Sequence, residues 1–271
     1  MIEVAGSGIH WVAWGKLGDP GIVLVHGARA HVGWWRGVVG RSIAAGRRVV
    51  ALDLSGHGDS DRRTSYSAEL WGDEVAAVVA ELASGHATLV GHSMGGWASV
   101  VCAARRPEGI GAIILLDCSI RRPRTGAEWE PRGMSERPLR SYRSRQEAVE
   151  AFRLVPAQPV HPELLRAIAE GSVRRGDGGW QWKFDPAIAQ SFSDGLIRDH
   201  LLRVRCPIHL VYGTEDPLVS AATADEISSM TGLPVPATAL PGAHHHALLD
   251  HPAEVAAALL GTGMLGTPQS R

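Results

Sequence analysis

The strongest constraint on the fold is a series of short, continuous apolar runs, most of them followed directly by glycine or aspartate. They occupy residues 22–25, 48–52, 87–90, 112–116 and 208–212. Runs of β-branched residues and leucine at this length predict strands buried on both faces of a parallel sheet. Stretches of helical period lie between them, at 68–82 and 97–104, and residues 10–14 predict an antiparallel edge strand. The alternation predicts an α/β protein with a doubly wound, mostly parallel sheet.

The composition excludes several classes of protein. The 271 residues are 45% hydrophobic and 20% charged, which is typical of a globular chain with a sizeable core. Basic and acidic residues nearly cancel, with a net charge of −1, so charge does not favour nucleic acid as a partner. The three cysteines, Cys102, Cys118 and Cys206, are far apart and odd in number. This pattern indicates free thiols rather than a disulfide framework or a zinc site.

Nothing in the sequence resembles a membrane anchor or a secretion signal. No apolar run approaches the roughly 20 residues that a membrane-spanning helix needs. Residues 1–6 do not combine a basic segment with an apolar stretch, as a signal peptide does. We therefore expect a cytoplasmic monomer or homodimer with a small-molecule substrate, and neither a membrane nor nucleic acid as a partner.

The alternation of strands and helices breaks down over residues 119–205. Helical patterns occur at 146–153 and 162–170. The segment therefore predicts a mostly helical cap, inserted into a core domain of residues 1–118 and 206–271. It also contains a cluster of arginines that either attract an acidic substrate or form a solvated face of the cap: Arg121, Arg122, Arg124, Arg140, Arg143 and Arg145.

The sharpest chemical signal is the sequence Gly91-His92-Ser93-Met94-Gly95, which lies between a predicted strand and a predicted helix. A serine on such a tight turn projects above the edge of the sheet, and only small neighbours tolerate the backbone conformation. A neutral hydroxyl is a poor nucleophile, so Ser93 needs a base within hydrogen-bond reach and a third group that orients the base. Asp216 follows the strand predicted at 208–212, and His244, His245 and His246 come later.

With these motifs the chain resembles the α/β-hydrolase superfamily, in particular its lidded serine esterases and lipases. The resemblance extends from about residue 9 to residue 260. It rests on four ordered motifs: His26-Gly27, the segment 53–60 (DLSGHGDS), the serine turn, and the loops that carry the acid and the histidines. It implies the α/β-hydrolase fold, with a helical cap inserted after the sixth strand. The order serine, acid, histidine is that of this fold.

The resemblance also implies roles for individual residues. Ser93 is the expected nucleophile, and His245, seven residues before Pro252, is the expected base. Asp216 is the expected acid, with Asp117 as the alternative, because Asp117 follows the strand before the insertion.

The oxyanion hole is expected from the backbone N–H groups of Ala28 and Met94. The adjacent histidines 244–246 could instead bind a metal, but no further ligands at metal spacing lie nearby. No motif for a nucleotide is present, and we expect no metal, flavin or other cofactor.

Tryptophan is the most frequent aromatic residue, with nine copies against three each of Phe and Tyr. Trp34 and Trp35 lie just past the oxyanion segment, while Trp180 and Trp182 alternate with polar residues as in an extended segment that shows one face. They predict an aromatic-walled substrate pocket over Ser93. Alternatively, Trp180 and Trp182 attach the cap to the core.

The expected activity is hydrolysis of a carboxylic ester, thioester or lactone of a small to medium apolar molecule. Two alternatives stay open. One is hydrolysis of a carbon–carbon bond in a diketone-like compound, although His26-Gly27-Ala28-Arg29-Ala30 lacks the glycine-rich oxyanion loop usual in that group. The other is a non-hydrolytic small-molecule receptor that retains the triad.

Overall fold

The computed structural model describes residues 1–15, 21–40, 48–82, 86–120, 140–191 and 196–265. Its strands are β1 (Ile2–Val4), β2 (Ser7–Ile9), β3 (Trp11–Trp14), β4 (Ile22–Val25), β5 (Val49–Leu52), β6 (Ala87–His92), β7 (Ile110–Leu116), β8 (Val173–Gly176), β9 (Gly179–Trp182), β10 (Ile208–Gly213) and β11 (Ala237–Leu240). The α-helices are α1 (Arg36–Val39), α2 (Ala68–Leu82), α3 (Met94–Arg105), α4 (Arg145–Glu150), α5 (Pro162–Gly171), α6 (Leu196–Leu201), α7 (Ala221–Thr231), α8 (Ala247–Asp250) and α9 (Pro252–Gly261).

Seven strands form the central sheet in the order β11-β10-β7-β6-β4-β5-β3. All neighbours are parallel except β3, which pairs antiparallel with β5 at the edge. Every residue of β4, β5 and β6 is buried, because helices cover both faces of the sheet. The prediction of a doubly wound, mostly parallel sheet is confirmed.

The core consists of two layers, one on each face of the sheet. Alternate strand residues contribute to opposite layers, as the period of two in a strand requires: Val23 and Val25 pack into one, Ile22 and Leu24 into the other. Helices α2, α3, α6 and α7 cover the first face, and α1, α5, α8 and α9 the second. None of the described helices is both long and apolar enough to span a membrane.

The segment between β7 and β10 departs from the prediction in two respects. It follows the seventh strand of the chain and the fifth strand of the sheet, rather than the sixth, because β1 and β2 pair only with each other. It is also less helical than expected, since β8 and β9 form an antiparallel hairpin beside α4 and α5. The turn Gly176-Asp177-Gly178-Gly179 allows this hairpin, and Gly179 adopts a φ of +127° there, which only glycine tolerates readily.

Two sets of hydrogen bonds fasten this segment to the core. The Gly58 N–H donates to Lys183 O and the Asp185 N–H to Gly56 O, both at 2.7 Å. These bonds pair the residues that follow β9 with the turn after β5. At the other side, the His246 N–H donates to the side-chain oxygen of Gln158 at 2.8 Å, and the Gln158 amide donates back to His246 O at 3.3 Å.

Candidate active site

Ser93 occupies the sharp turn between β6 and α3. Its backbone has φ +49° and ψ −119°, a conformation that is strained for a residue with a side chain. Two flanking glycines make the turn possible. A Cβ atom on Gly91 would lie 2.5 Å from Gly95 O, and one on Gly95 would collide with the carbonyl oxygens of Val25 and His26. The strand and helix are therefore packed closely enough that the partly exposed Ser93 side chain projects at the carboxyl edge of the sheet.

The side chains of Ser93, His245 and Asp216 lie in hydrogen-bond contact, although each comes from a different loop. His245 Nε2 is 3.1 Å from Ser93 Oγ, and His245 Nδ1 is 3.0 Å from Asp216 Oδ2. Because a carboxylate only accepts, Nδ1 carries the imidazole proton and Nε2 is free to accept the serine proton. His245 and Asp216 are 5% and 7% exposed, so the contact between these two side chains is shielded from water.

The other oxygen of the Asp216 carboxylate is also engaged. Asp216 Oδ1 accepts from the Leu218 N–H at 2.8 Å, and the Asp216 N–H donates to Gly213 O at 3.2 Å. The loop after β10 thus holds the carboxylate in one orientation toward His245.

Asp117, the alternative acid, lies at the end of the neighbouring strand and has a different environment. Its backbone has a φ of +46°, its side chain is fully buried, and Oδ1 accepts from the Gly213 N–H at 2.7 Å. Burial raises the pKa of Asp117 well above its usual range. Within the described part of the chain, the histidine ring at the serine contacts Asp216 and not Asp117.

The two groups expected around an oxyanion lie on different elements: Ala28 is on the loop after β4, and Met94 is the first residue of α3. A Cβ atom on Gly27 would lie 3.3 Å from Ser93 Cβ, so the loop after β4 passes directly beside the serine. The backbone N–H groups of Ala28 and Met94 donate to no acceptor among the described residues. Unpaired N–H groups next to a nucleophile are available to a developing negative charge.

Buried polar side chains hold this loop in place. Asp53 Oδ1 accepts from the Val32 N–H at 2.7 Å, while Oδ2 accepts from His10 and from the Asp59 N–H. Burial by itself would raise the pKa of Asp53, but these hydrogen bonds together lower it to about 2. His26 receives the Leu54 N–H at 3.0 Å and donates to Gly27 O at 2.7 Å. Asp53 and His26 thus brace the loop after β4.

One residue of the site was missed by the sequence analysis. His92, next to the serine, lies with its Nε2 2.9 Å from the main-chain oxygen of His245. Burial lowers the pKa of His92 to about 3, so the ring is neutral and its Nε2–H donates to that oxygen. No local pattern could have indicated this bond, because the partners are 153 positions apart.

The structure separates the three adjacent histidines. His244 pairs with Asp250 at 2.9 Å, away from the serine. His92, His245 and His246 each offer a ring nitrogen within 4.8 Å of the others, and all three are buried. They form one of two groups within the described residues that could hold a metal ion, the other being His10, Asp53 and Asp59. A metal on the first group would compete with Ser93 for His245.

A small cavity of about 50 Å³ is lined in part by Ala28, and neither Ser93 nor His245 is among its lining residues. Trp34 and Trp182 line it, whereas Trp35 and Trp180 do not. Trp35 is 0% exposed and packs in the core against the sheet, so the prediction for this residue is wrong. Trp180 packs against a small cluster in the segment between β7 and β10, formed by Tyr142, Ala148 and Val173.

The arginines between β7 and β10 are only partly described, since Arg121, Arg122 and Arg124 lie outside the described residues. Arg140 and Arg145 are exposed and lie near Glu147 and Glu170 at 3.8 and 3.9 Å. Exposed pairs of this kind contribute little to stability, and these two arginines are typical of a solvated face.

A mostly parallel sheet with a serine on the turn after β6, an acid after β10 and a histidine further along the chain is typical of the α/β-hydrolase fold. The family model described as alpha/beta hydrolase family matches residues 22–258. The chain therefore belongs to the alpha/beta hydrolase family, and its relatives include esterases.

Two relatives cover most of the chain. An esterase of Mycobacterium tuberculosis is 29% identical over 235 residues, which are 83% of this chain and 76% of the relative. A 2-(acetamidomethylene)succinate hydrolase of Mesorhizobium japonicum is 30% identical over 205 residues, or 73% of this chain and 72% of the relative.

Solved structures are similar over nearly the whole chain. A structure of the Mycobacterium tuberculosis esterase superposes with a TM-score of 0.79 at 25% identity and covers 94% of this chain and 88% of the esterase. A thioesterase domain from the curacin biosynthetic pathway also gives a TM-score of 0.79, at 24% identity and with 96% and 97% coverage. The latter similarity concerns the fold alone.

Proposed function

We propose that the chain hydrolyses carboxylic esters through an acyl-enzyme on Ser93, with His245 as the base and Asp216 as the acid. The observation that carries the proposal is the pair of contacts at 3.1 and 3.0 Å that link Ser93 Oγ to His245 and His245 to Asp216. The esterases among the relatives support the reaction class. No step of this reaction requires a metal or an organic cofactor.

In the first step, Ser93 Oγ bonds to the carbonyl carbon of the ester while His245 Nε2 takes the serine proton. The π electrons of the carbonyl move to its oxygen, and the Ala28 and Met94 N–H groups donate to the resulting oxyanion. Asp216 holds the Nδ1–H and stabilises the imidazolium. The stabilisation by preorganised backbone donors is the largest single contribution expected in such a site.

In the second step, the tetrahedral intermediate collapses and the bond from carbon to the leaving oxygen breaks. His245 returns its proton to that oxygen, and the alcohol leaves. A water molecule then attacks the acyl-enzyme in the same way. The water oxygen bonds to the acyl carbon while His245 takes a proton from the water. The bond to Ser93 Oγ breaks, Ser93 recovers its proton from His245, and the carboxylic acid departs.

We further propose that residues 1–118 and 206–271 form the core domain and that residues 119–205 act as the cap. The apolar walls contributed by Trp34 and Trp182 favour an ester, thioester or lactone of small to medium size. The described part of the cap, fastened to the core at Gly56, Gly58 and His246, supplies one wall of the cavity.

A fluorophosphonate probe tests the proposal directly, because it reacts only with an activated serine. We expect one covalent adduct per chain, lost in Ser93→Ala, together with hydrolysis of para-nitrophenyl esters of graded acyl length. The Ser99→Ala variant is the matched control, since Ser99 lies buried in α3 and donates to Gly95 O. Folded protein that takes no label and hydrolyses no ester would contradict the proposal and favour a receptor, and cleavage of a diketone without ester cleavage would favour a carbon–carbon hydrolase.

A further inference from the structure

Arg29 is placed in an unusual way beside the proposed oxyanion hole. It directly follows Ala28, and its backbone has a φ of +61°, in the left-handed region that a non-glycine residue rarely occupies without cause. Its side chain is half-buried, and Arg29 lines the same cavity as Ala28. The strained backbone thus directs a long cationic side chain along the cavity wall.

The guanidinium of Arg29 has an aromatic contact but no acidic one. Its Cζ atom lies 4.9 Å from the centroid of the Phe184 ring, a cation–π distance. Within the described residues no hydrogen bond or ion pair joins Arg29 to a carboxylate. Burial without such a partner lowers the pKa of Arg29 to about 10, and the group still carries its charge at neutral pH.

Three other lining residues of the cavity have basic side chains, and all three have partners. The His31 ring contacts Ser172 Oγ and the Gly33 N–H, and burial lowers the pKa of His31 to about 4. Lys183 Nζ pairs with the Asp59 carboxylate at 2.8 Å. Arg153 is exposed, and its Nη1 donates to the main-chain oxygens of Glu150 and Phe152 at 2.7 and 2.6 Å. No lining residue of this cavity is acidic. Arg29 is therefore the cation of this cavity whose hydrogen-bond donors have no partner among the described residues.

A half-buried guanidinium is costly unless an anion pairs with it. Its planar donors match a carboxylate in a two-pronged arrangement. A substrate can supply that carboxylate, and the aromatic walls then cover the methylene chain between carboxylate and ester.

We propose that Arg29 binds a carboxylate of the substrate, so that the preferred substrates are esters that carry a free carboxylate. This inference rests on the proposed ester hydrolysis and refines it: the cavity is apolar along its walls and cationic at Arg29. The carboxylate lies either at the far end of the acyl chain, as in a half-ester of a dicarboxylic acid, or on the alcohol part. The two positions share the same recognition chemistry.

The test compares two matched pairs of substrates. In the first, para-nitrophenyl hydrogen adipate is compared with a neutral ester in which an isopropyl group replaces the carboxylate. In the second, para-carboxyphenyl butyrate is compared with phenyl butyrate. The quantity measured is the ratio of kcat/KM for the anionic ester to kcat/KM for its neutral counterpart. We expect R29Q to lower this ratio by about 10- to 100-fold for one pair, as the loss of a hydrogen bond to a charged group predicts.

Two further variants separate a specific pairing from other effects. R29K keeps the charge but not the two-pronged geometry, and we expect it to recover part of the ratio. R36Q removes the same charge from an exposed arginine outside the cavity, and we expect the ratio to stay as in the unaltered chain. An equal loss of both esters in R29Q, or the same change of ratio in R36Q, would overturn the proposal.

Direct binding distinguishes failure of this inference from failure of the proposed function. Titration calorimetry with adipate measures the affinity whether or not the chain hydrolyses esters. We expect R29Q to weaken adipate binding, with R36Q unchanged. If the unaltered chain binds adipate no better than R29Q does, Arg29 is not a carboxylate site, even where ester hydrolysis is found.

Discussion

The ring of His92 donates a hydrogen bond to the main-chain oxygen of His245, 2.9 Å away. His92, the residue before Ser93, therefore supports the backbone of His245, whose side chain faces Ser93. Because His92 is buried and its pKa is lowered to about 3, this donor is kept throughout the neutral pH range.

We predict that His92→Phe lowers kcat with little change in KM, since the imidazole of His245 loses the support of its own backbone. The buried oxygen would also lose its donor, which costs about 1–3 kcal/mol of unfolding free energy. Steady-state kinetics and urea unfolding measure the two effects separately. His92→Gln offers an amide donor in its place and should recover kcat, whereas a purely structural role would leave kcat of the folded Phe variant unchanged.

The identity of the acid is tested by a pair of isosteric substitutions. Asp216→Asn removes the carboxylate that faces His245 Nδ1, and we expect kcat to fall by about 10³–10⁴-fold because the imidazole loses its required tautomer. Asp117→Asn retains an oxygen for the Gly213 N–H and should change kcat little. The reverse outcome, with activity lost only in Asp117→Asn, would transfer the role to Asp117.

The close approach of Gly27 to the serine predicts a loss of activity on adding a single methyl group. In Gly27→Ala the new Cβ would lie 2.6 Å from His92 Nδ1 and 3.3 Å from Ser93 Cβ, so the loop with the Ala28 N–H must shift. We expect kcat to fall by about 10²-fold, comparable with the loss of one oxyanion donor. Gly261→Ala is the control, because a Cβ there meets nothing within 4 Å, and its kcat should match the unaltered chain.

Stability should fall as the pH is lowered from 7 to 5. Burial lowers the pKa of His57 to about 3 in the folded chain, against about 6.5 when unfolded. Below pH 6.5 the unfolded chain thus binds a proton that the folded chain does not. The contribution of His57 alone lowers the unfolding free energy by about 2 kcal/mol between pH 7 and pH 5.

Urea unfolding at several pH values measures this effect. We expect His57→Gln to reduce the slope of unfolding free energy against pH between pH 6 and pH 5. His161→Gln removes a ring that is exposed in the folded chain and should leave the slope as it is. An unchanged slope in His57→Gln would show that this ring does not resist protonation in the folded chain.

The sequence predicted those parts of the fold that depend on local pattern. Strand β4 and helix α2 lie where their apolar residues predicted them. An element buried on one or both faces needs apolar residues at a regular spacing, and the sequence shows that spacing directly. Strand β8 was missed: Val173-Arg174-Arg175-Gly176 alternates too briefly to be recognised, and pairing with β9 decides its conformation.

In the candidate site too, the features set by local sequence could be predicted and those set by tertiary packing could not. The serine turn is local, and its glycines indicate it. Asp117 and Asp216 both follow a strand at the same edge of the sheet, so only the tertiary arrangement brings one of them to His245. Trp34 and Trp35 are adjacent in sequence and both pack in the core, but only Trp34 also lines the cavity.

The fastening of β9 onto the turn at Gly56 and Gly58 has a consequence for the evolution of specificity. These bonds join main-chain atoms only, so they do not depend on which side chains stand at positions 182 to 184. Mutations there would change the size of the cavity that Trp182, Lys183 and Phe184 line, while its wall stays anchored to the core. Such a scaffold allows new substrates to be acquired one substitution at a time, and the same positions offer a rational starting point for redesign.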